Sequence, residues 1–298
     1  MASLDLKGMG VALITPFKED ESVDYEALTG MVDYLMANGT DYIVALGTTA
    51  ETPCLFDEEK KEITRLIVER VNRRVPIILG MGGNCTRKIV SQLGHTDFEG
   101  ISAVLSVVPY YNKPSQEGIF QHYKTISEVT PLPVVIYNVP GRTGMNMTAD
   151  TTIRIAHELS NIIAVKEASG NITQIGNIIR DKPSRFQVIS GDDGLTFPIM
   201  ALGGVGVISV IGNVFPKDFS RMVHLALEGK MQEACDIHAR FAEIFDLLFA
   251  DGSPAGAKSM LSLMGLVKNK LRLPLVPTRK TTFETIRNTL IEMNVIKE

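Results

Sequence analysis

Eight short apolar runs, separated by amphipathic segments, restrict the folds open to this sequence more than any other feature. They are Gly10–Thr15, Tyr42–Gly47, Pro76–Gly80, Ala103–Val108, Pro133–Asn138, Ile162–Glu167, Phe186–Ser190 and Val205–Val210. Strands apolar on both faces belong to parallel sheets covered by helices, and their alternation with helical patterns is the sequence form of βα units. The intervening segments fit. Asp24–Ala37 repeats Tyr25, Leu28, Val32 and Leu35 at helical spacing behind Asp24 as N-cap, and Asp57–Val71 repeats Ile63, Leu66, Ile67 and Val71. Eight such units in about 225 residues have the size of a closed (β/α)8 TIM barrel. An open doubly wound sheet stays as the alternative, because periodicity does not report closure.

The strands stop near residue 215. Helices are expected over Pro216–Leu227, Met231–Ala250, Ser253–Lys268 and Thr281–Met293, so the expected division is a barrel over 1–225 and a C-terminal helical extension over 226–298. With 45% hydrophobic residues, 21% charged residues and a net charge of -4, nothing marks a nucleic-acid or anionic-membrane surface. A small-molecule partner is expected instead. Cys54, Cys85 and Cys235 are few and scattered, which argues against a disulfide framework or a zinc site. The first residues lack a basic stretch followed by an apolar core, and the most apolar run, Ala201–Phe215, is too short and glycine-rich for a membrane helix. A cytoplasmic protein is expected.

In a barrel of this kind the chemistry lies where strands pass into βα loops. Those ends read "GTTAET" (Gly47–Thr52), "GMGGN" (Gly80–Asn84), "VVPYYNKPSQEG" (Val107–Gly118), "YNVPGRTG" (Tyr137–Gly144), "VKEASG" (Val165–Gly170) and "SGDD" (Ser190–Asp193). "GMGGN" lacks the third glycine of a dinucleotide fingerprint, where Cys85 stands. Lys166 near the end of an apolar strand is the anomaly, since an unpaired buried ammonium is costly. Either its head escapes to solvent, or it pairs with an acid such as Glu167, or burial lowers its pKa and leaves a nucleophilic neutral amine. A free lysine offers only about one neutral amine in a few thousand at pH 7, whereas desolvation can bring the pKa toward about 7–8. Tyr137, Thr48 and Thr49 at neighbouring strand ends are candidate proton carriers, with packing and turn chemistry as their ordinary alternatives. Arg142 offers a fork for a carboxylate or, alternatively, a structural salt bridge.

Taken in order, from about Gly8 to beyond Gly265, "GTTAET", "YYNKPSQEG", "YNVPGRTG", "VKEASG" and "SGDD" resemble the dihydrodipicolinate synthase family. That family lies in the pyruvate-dependent class I aldolase superfamily that includes N-acetylneuraminate lyase. The resemblance implies a (β/α)8 barrel and a Schiff base between Lys166 and pyruvate. It implies proton transfer by Tyr137, with Thr48 and Tyr111 as relay partners. Thr49 would hold the pyruvate carboxylate, with backbone from Gly191 and Ile208. Arg142 would receive the carboxylate of L-aspartate 4-semialdehyde, the second substrate, in diaminopimelate and lysine biosynthesis. Neither metal nor cofactor is implied, because the protonated imine is the electron sink. The second tyrosine of "YY" enters a neighbouring subunit's site in this family, so a homodimer is the implied minimum, commonly paired into a tetramer. Arg142 separates this reading from sialic-acid lyases, while a 2-keto-3-deoxy-acid aldolase is the nearest alternative. A non-catalytic sensor on the same barrel would lack Lys166 or Tyr137.

Three departures from the family pattern carry expectations. Ala50 replaces a usual glycine and would be strained if its φ were positive. In "SPAGAK", Ser253 and Gly256 replace members of an Asn-Pro-x-Pro-x-Lys pattern, a change expected to lie away from the chemistry. Around the allosteric lysine pocket, Asn84 and Tyr110 match lysine-inhibited members. Asp57, Lys60 and Lys88 stand where those members carry histidines and a glutamate, and two added cations should repel the ligand's ammonium groups. Feedback inhibition by lysine is therefore expected to be weak or absent.

Overall fold

The structure, a computed structural model, describes residues 4–297. Its strands are β1 (Gly8–Ala12), β2 (Tyr42–Ala45), β3 (Ile77–Gly80), β4 (Ala103–Val107), β5 (Val134–Asn138), β6 (Ile162–Glu167), β7 (Gln187–Ser190) and β8 (Gly206–Ser209). All pair in parallel in chain order, and β8 returns to β1 through Met9↔Val207 and Gly10↔Ile208. The sheet is therefore a closed (β/α)8 barrel, and the open alternative is excluded.

Alternation along each strand sorts side chains between two environments. Val44, Ile78, Leu105, Val135, Tyr137, Ala164, Ile189 and Ile208 fill the barrel interior. Tyr42 enters this interior because Gly10 faces it: a Cβ at position 10 would stand 2.0 Å from the Tyr42 ring. The Tyr42 hydroxyl then donates to the Val207 carbonyl at 3.2 Å. Residues of opposite parity, such as Ile43, Ile77, Val134 and Val165, meet the surrounding helices. Burying each such side chain contributes about 1.5–3 kcal/mol, which fixes the parity of every strand.

Helix Tyr25–Ala37 starts where expected, with the Asp24 carboxylate accepting from Ala27 N–H at 3.1 Å, and buries Leu28, Met31, Val32 and Leu35. Helix Asp57–Val71 buries Ile63, Ile67 and Val71, while Leu66 is only half-buried. Strand β1 begins two residues before the expected Gly10. At the expected end Leu13 N–H still pairs with the Val44 carbonyl at 3.1 Å, but Ile14 and Thr15 leave the barrel, Ile14 N–H turning to the Asn213 side chain and the Thr15 hydroxyl to the Ala50 carbonyl.

The helix Pro216–Leu227 is as expected, and the division expected at residue 225 falls within it. The single helix expected over Met231–Ala250 is two, Met231–Arg240 and Ala242–Phe249. Phe241 leaves helical geometry at φ -94° and ψ 2°, turning its buried ring onto Phe215, Phe219 and Phe245. The next helix is shorter than expected, Ala255–Leu263, with Gly265 at φ +75° beyond its end, and the last spans Lys280–Glu292. Among the described residues no helix is long and apolar enough to cross a membrane.

Candidate active site

Lys166 and Tyr137 lie side by side at the C-terminal ends of β6 and β5, where they are register partners. Lys166 shares the inward parity of Ala164, and Glu167 points the other way. That geometry rules out the Lys166–Glu167 pair considered from sequence. The Glu167 carboxylate instead accepts from Asn138 Nδ2 at 3.0 Å, Ser169 N–H at 3.0 Å and Gln174 Nε2 at 3.2 Å. The Lys166 side chain, 5% exposed, stands with Nζ 4.3 Å from the centroid of the Tyr137 ring. Burial lowers its pKa from 10.5 to about 8; the Asp193 carboxylate works against that shift and the Arg142 guanidinium adds to it. Burial also pushes the Tyr137 phenol up to about 12, with Arg142 opposing. The pair is thus an amine partly neutral near pH 7 beside a phenol that keeps its proton.

The surrounding loops have identifiable anchors. Asn138 follows Tyr137 and gives Nδ2–H to Glu167 and to Asn146 Oδ1, while its Oδ1 accepts from Met147 N–H at 3.0 Å. These bonds hold the loop that carries Arg142 on the short helix Pro140–Thr143, closed by Gly144 at φ +67°. Arg142 is exposed on the wall of a cavity of about 1300 Å³ that runs from the barrel rim outward along helix Asp57–Val71 and residues 92–100, and Thr48, Tyr110 and Tyr137 line its rim end. Among the described residues no ion pair involves its guanidinium, so the structural salt bridge considered from sequence is not what holds it.

Thr49 is buried and Thr48 exposed on one turn, Thr48–Ala50. Ala50 does not have positive φ. The left-handed residue is the next one, Glu51 at φ +55°, so alanine carries no left-handed strain. Gly191 follows β7, where a Cβ would stand 2.9 Å from the Ala168 Cβ and 3.0 Å from Cγ and Cε of Lys166; only glycine leaves the lysine its place. Ile208 is buried inside the barrel on β8.

Tyr111 is the exception. At φ +72° it is 88% exposed, and among the described residues its hydroxyl makes no hydrogen bond. Asn84 is half-buried, its carbonyl accepting from Asn112 Nδ2 at 2.9 Å. Lys60 pairs with Asp57 at 3.0 Å, so one of the two added cations has a local partner, while Lys88 is exposed.

Asp193, the second acid of "SGDD", is a buried group of the site that no local sequence pattern singles out. Its buried carboxylate accepts from Val210 N–H at 3.0 Å and Ile211 N–H at 2.9 Å, joining the ends of β7 and β8, and its Oδ1 has no partner. Burial raises its pKa to about 6 against those N–H bonds. The adjacent strand end was the available signal, but burial of the second acid of "SGDD" rather than the first is a tertiary fact. Among the described residues no group of three or more histidine, cysteine and carboxylate side chains could hold a metal ion, and the three cysteines are free thiols.

A closed parallel barrel presenting a desolvated lysine against a phenol at its C-terminal rim defines an enzyme of the class I aldolase type. The comparisons make the assignment specific: the chain belongs to the dihydrodipicolinate synthetase family, which it matches over residues 5–293. It is 68% identical to the 4-hydroxy-tetrahydrodipicolinate synthase of Parabacteroides distasonis and 65% identical to that of Phocaeicola vulgatus, covering 99% of each. Among solved structures it is similar to the dihydrodipicolinate synthase of Thermotoga maritima, at 40% identity and a TM-score of 0.95 over 97% of this chain and 99% of that one. It is equally close to the chloride-inhibited enzyme of Acinetobacter baumannii in complex with pyruvate, at 38% identity and a TM-score of 0.95 over 98% and 100%.

Proposed function

We propose that this protein catalyses the 4-hydroxy-tetrahydrodipicolinate synthase reaction, joining pyruvate to L-aspartate 4-semialdehyde in diaminopimelate and lysine biosynthesis. The observation that carries this reading is the Lys166 amine, buried with no carboxylate ion-pair partner among the described residues and 4.3 Å from the centroid of the Tyr137 ring. It is supported by the names of the relatives and by the pyruvate complex of the Acinetobacter protein.

The neutral Lys166 amine attacks the pyruvate ketone, and the carbinolamine loses water to give a protonated imine. A methyl proton then leaves, the electron pair moves into the imine, and the resulting enamine carbon attacks the aldehyde. The amine of the second substrate displaces Lys166 from the imine carbon, which closes the ring and returns the lysine. Water is the only by-product, and it departs at imine formation. Tyr137 carries protons in these steps with Thr48 and with Tyr111 of a second copy of the chain. Thr49 and the backbone at Gly191 and Ile208 hold the pyruvate carboxylate. Arg142 takes the carboxylate of the semialdehyde, which favours this substrate over the neutral sugars of the related aldolases. Exposure of Tyr111 fits a side chain completed by a neighbour, so a homodimer is the smallest competent unit and a tetramer its expected assembly. The free thiols suit the reducing cytoplasm.

Borohydride reduction with pyruvate, followed by peptide mass mapping, tests nucleophile and class together. A reduced pyruvate adduct on Lys166 is expected. No adduct, or an adduct on another lysine, would overturn the reading.

A further inference from the structure

Glu51 and Lys258 form a buried ion pair that spans most of the chain. Lys258 Nζ donates to Glu51 Oε1 at 2.5 Å across 207 positions of sequence, and both side chains are fully buried. Glu51 Oε2 accepts from Arg272 N–H at 3.0 Å, and Lys258 Nζ also donates to the Lys270 carbonyl at 2.9 Å. Both cations lie over one ring: Lys258 Nζ is 4.2 Å and the Arg272 guanidinium 4.6 Å from the centroid of Phe17. Arg272 then reaches the other end of the same loop, at the Cys54 carbonyl (2.8 Å) and the Glu59 carboxylate (2.7 and 2.6 Å).

Glu51 directly follows the turn Thr48–Ala50 and occupies the left-handed conformation that joins it to the next turn, Thr52–Cys54. The first turn has no side-chain cap of its own. Its recorded side-chain restraints are the Thr15 hydroxyl on the Ala50 carbonyl, the Thr52 hydroxyl on the Gly47 carbonyl, and the Glu51 carboxylate. A fully buried carboxylate needs a cation, since losing one member of such a pair leaves an uncompensated charge inside the protein. Lys258 lies on helix Ala255–Leu263 of the C-terminal extension, so the "SPAGAK" segment, expected to lie away from the chemistry, is fastened to the loop that bears Thr48 and Thr49.

We propose that Lys258, through Glu51, is a positioning residue for the Thr48–Thr49 turn, so that the C-terminal extension sets the place where the keto-acid carboxylate binds. This rests on the role given to Thr49 above. Displacing a positioned group by about 1 Å can cost about a hundredfold in rate, and a turn this short transmits any shift of Glu51 to its neighbours.

The test compares the native enzyme with Lys258→Met and with the double variant Glu51→Met/Lys258→Met. The double variant removes both charges while keeping apolar bulk, which lets it fold even where the single variant does not. The readouts are pyruvate and semialdehyde KM, and the pyruvate concentration that half-saturates borohydride trapping. In both variants half-saturation by pyruvate is expected to shift upward by about tenfold or more, while semialdehyde KM, set by Arg142 on a different loop, stays within about twofold. Unchanged pyruvate half-saturation in the folded double variant, or an equal rise in both KM values, would overturn the proposal. If the native enzyme itself forms no adduct at Lys166, the proposed function fails instead, which keeps the two failures distinct.

Discussion

Lowering the Lys166 pKa from 10.5 to about 8 changes how much nucleophile the enzyme holds at a given pH, and the consequence is quantitative. With a pKa of about 8 the neutral fraction is about 1% at pH 6, about 9% at pH 7, about half at pH 8 and about 91% at pH 9. An unperturbed lysine would offer only about 0.03% at pH 7, so burial supplies about 300 times more free base. If imine formation limits turnover at low pyruvate, kcat/KM for pyruvate should rise about tenfold from pH 6 to 7, about fivefold from 7 to 8 and less than twofold from 8 to 9. Tyr137, pushed up to about 12, keeps its proton throughout this range and adds no inflection. The measurement is steady-state kcat/KM for pyruvate at constant ionic strength and saturating semialdehyde, checked by the rate of borohydride trapping. The same lowering has a signed effect on stability. Between about pH 8 and 10.5 the unfolded chain holds the proton and the folded chain does not, so this group makes stability rise with pH across that window. Below the window the buried ammonium costs about 3 kcal/mol, and Lys166→Met should be more stable than the native chain at pH 7 by up to that amount. A profile flat from pH 6 to 8, or an inflection near 10, would refute the claim that desolvation prepares this amine.

Arg142→Ala should lower kcat/KM for the semialdehyde about 10- to 100-fold, the value of a charge-assisted carboxylate contact. It should also move the pyruvate inflection to higher pH, because this guanidinium helps lower the Lys166 pKa; an unchanged semialdehyde constant would remove its assigned role. Lysine titrated to millimolar concentration in the steady-state assay should leave the rate within about twofold, since the lysine pocket implied by the family resemblance would set two cations, Lys88 and the Asp57-paired Lys60, against the ligand's ammonium groups. Strong inhibition at micromolar lysine would refute it.

The sequence by itself determined the number of the strands and their alternation with helices, because apolar runs and helical periodicity are local records of what each element buries, whereas the inward face of strands apolar on both sides was decided by the closed sheet. It also placed Lys166, Tyr137, Arg142 and the threonines at strand ends, since those positions follow from where each apolar run stops. Closure of the barrel through Gly10 and Ile208, the break at Phe241 and the burial of Asp193 were decided by packing between residues far apart in the chain. The clearest case is Glu51. One acid in "GTTAET" gives no local sign that its cation lies 207 positions away, because that pairing exists only once the C-terminal helices have closed over the barrel and removed both charges from water.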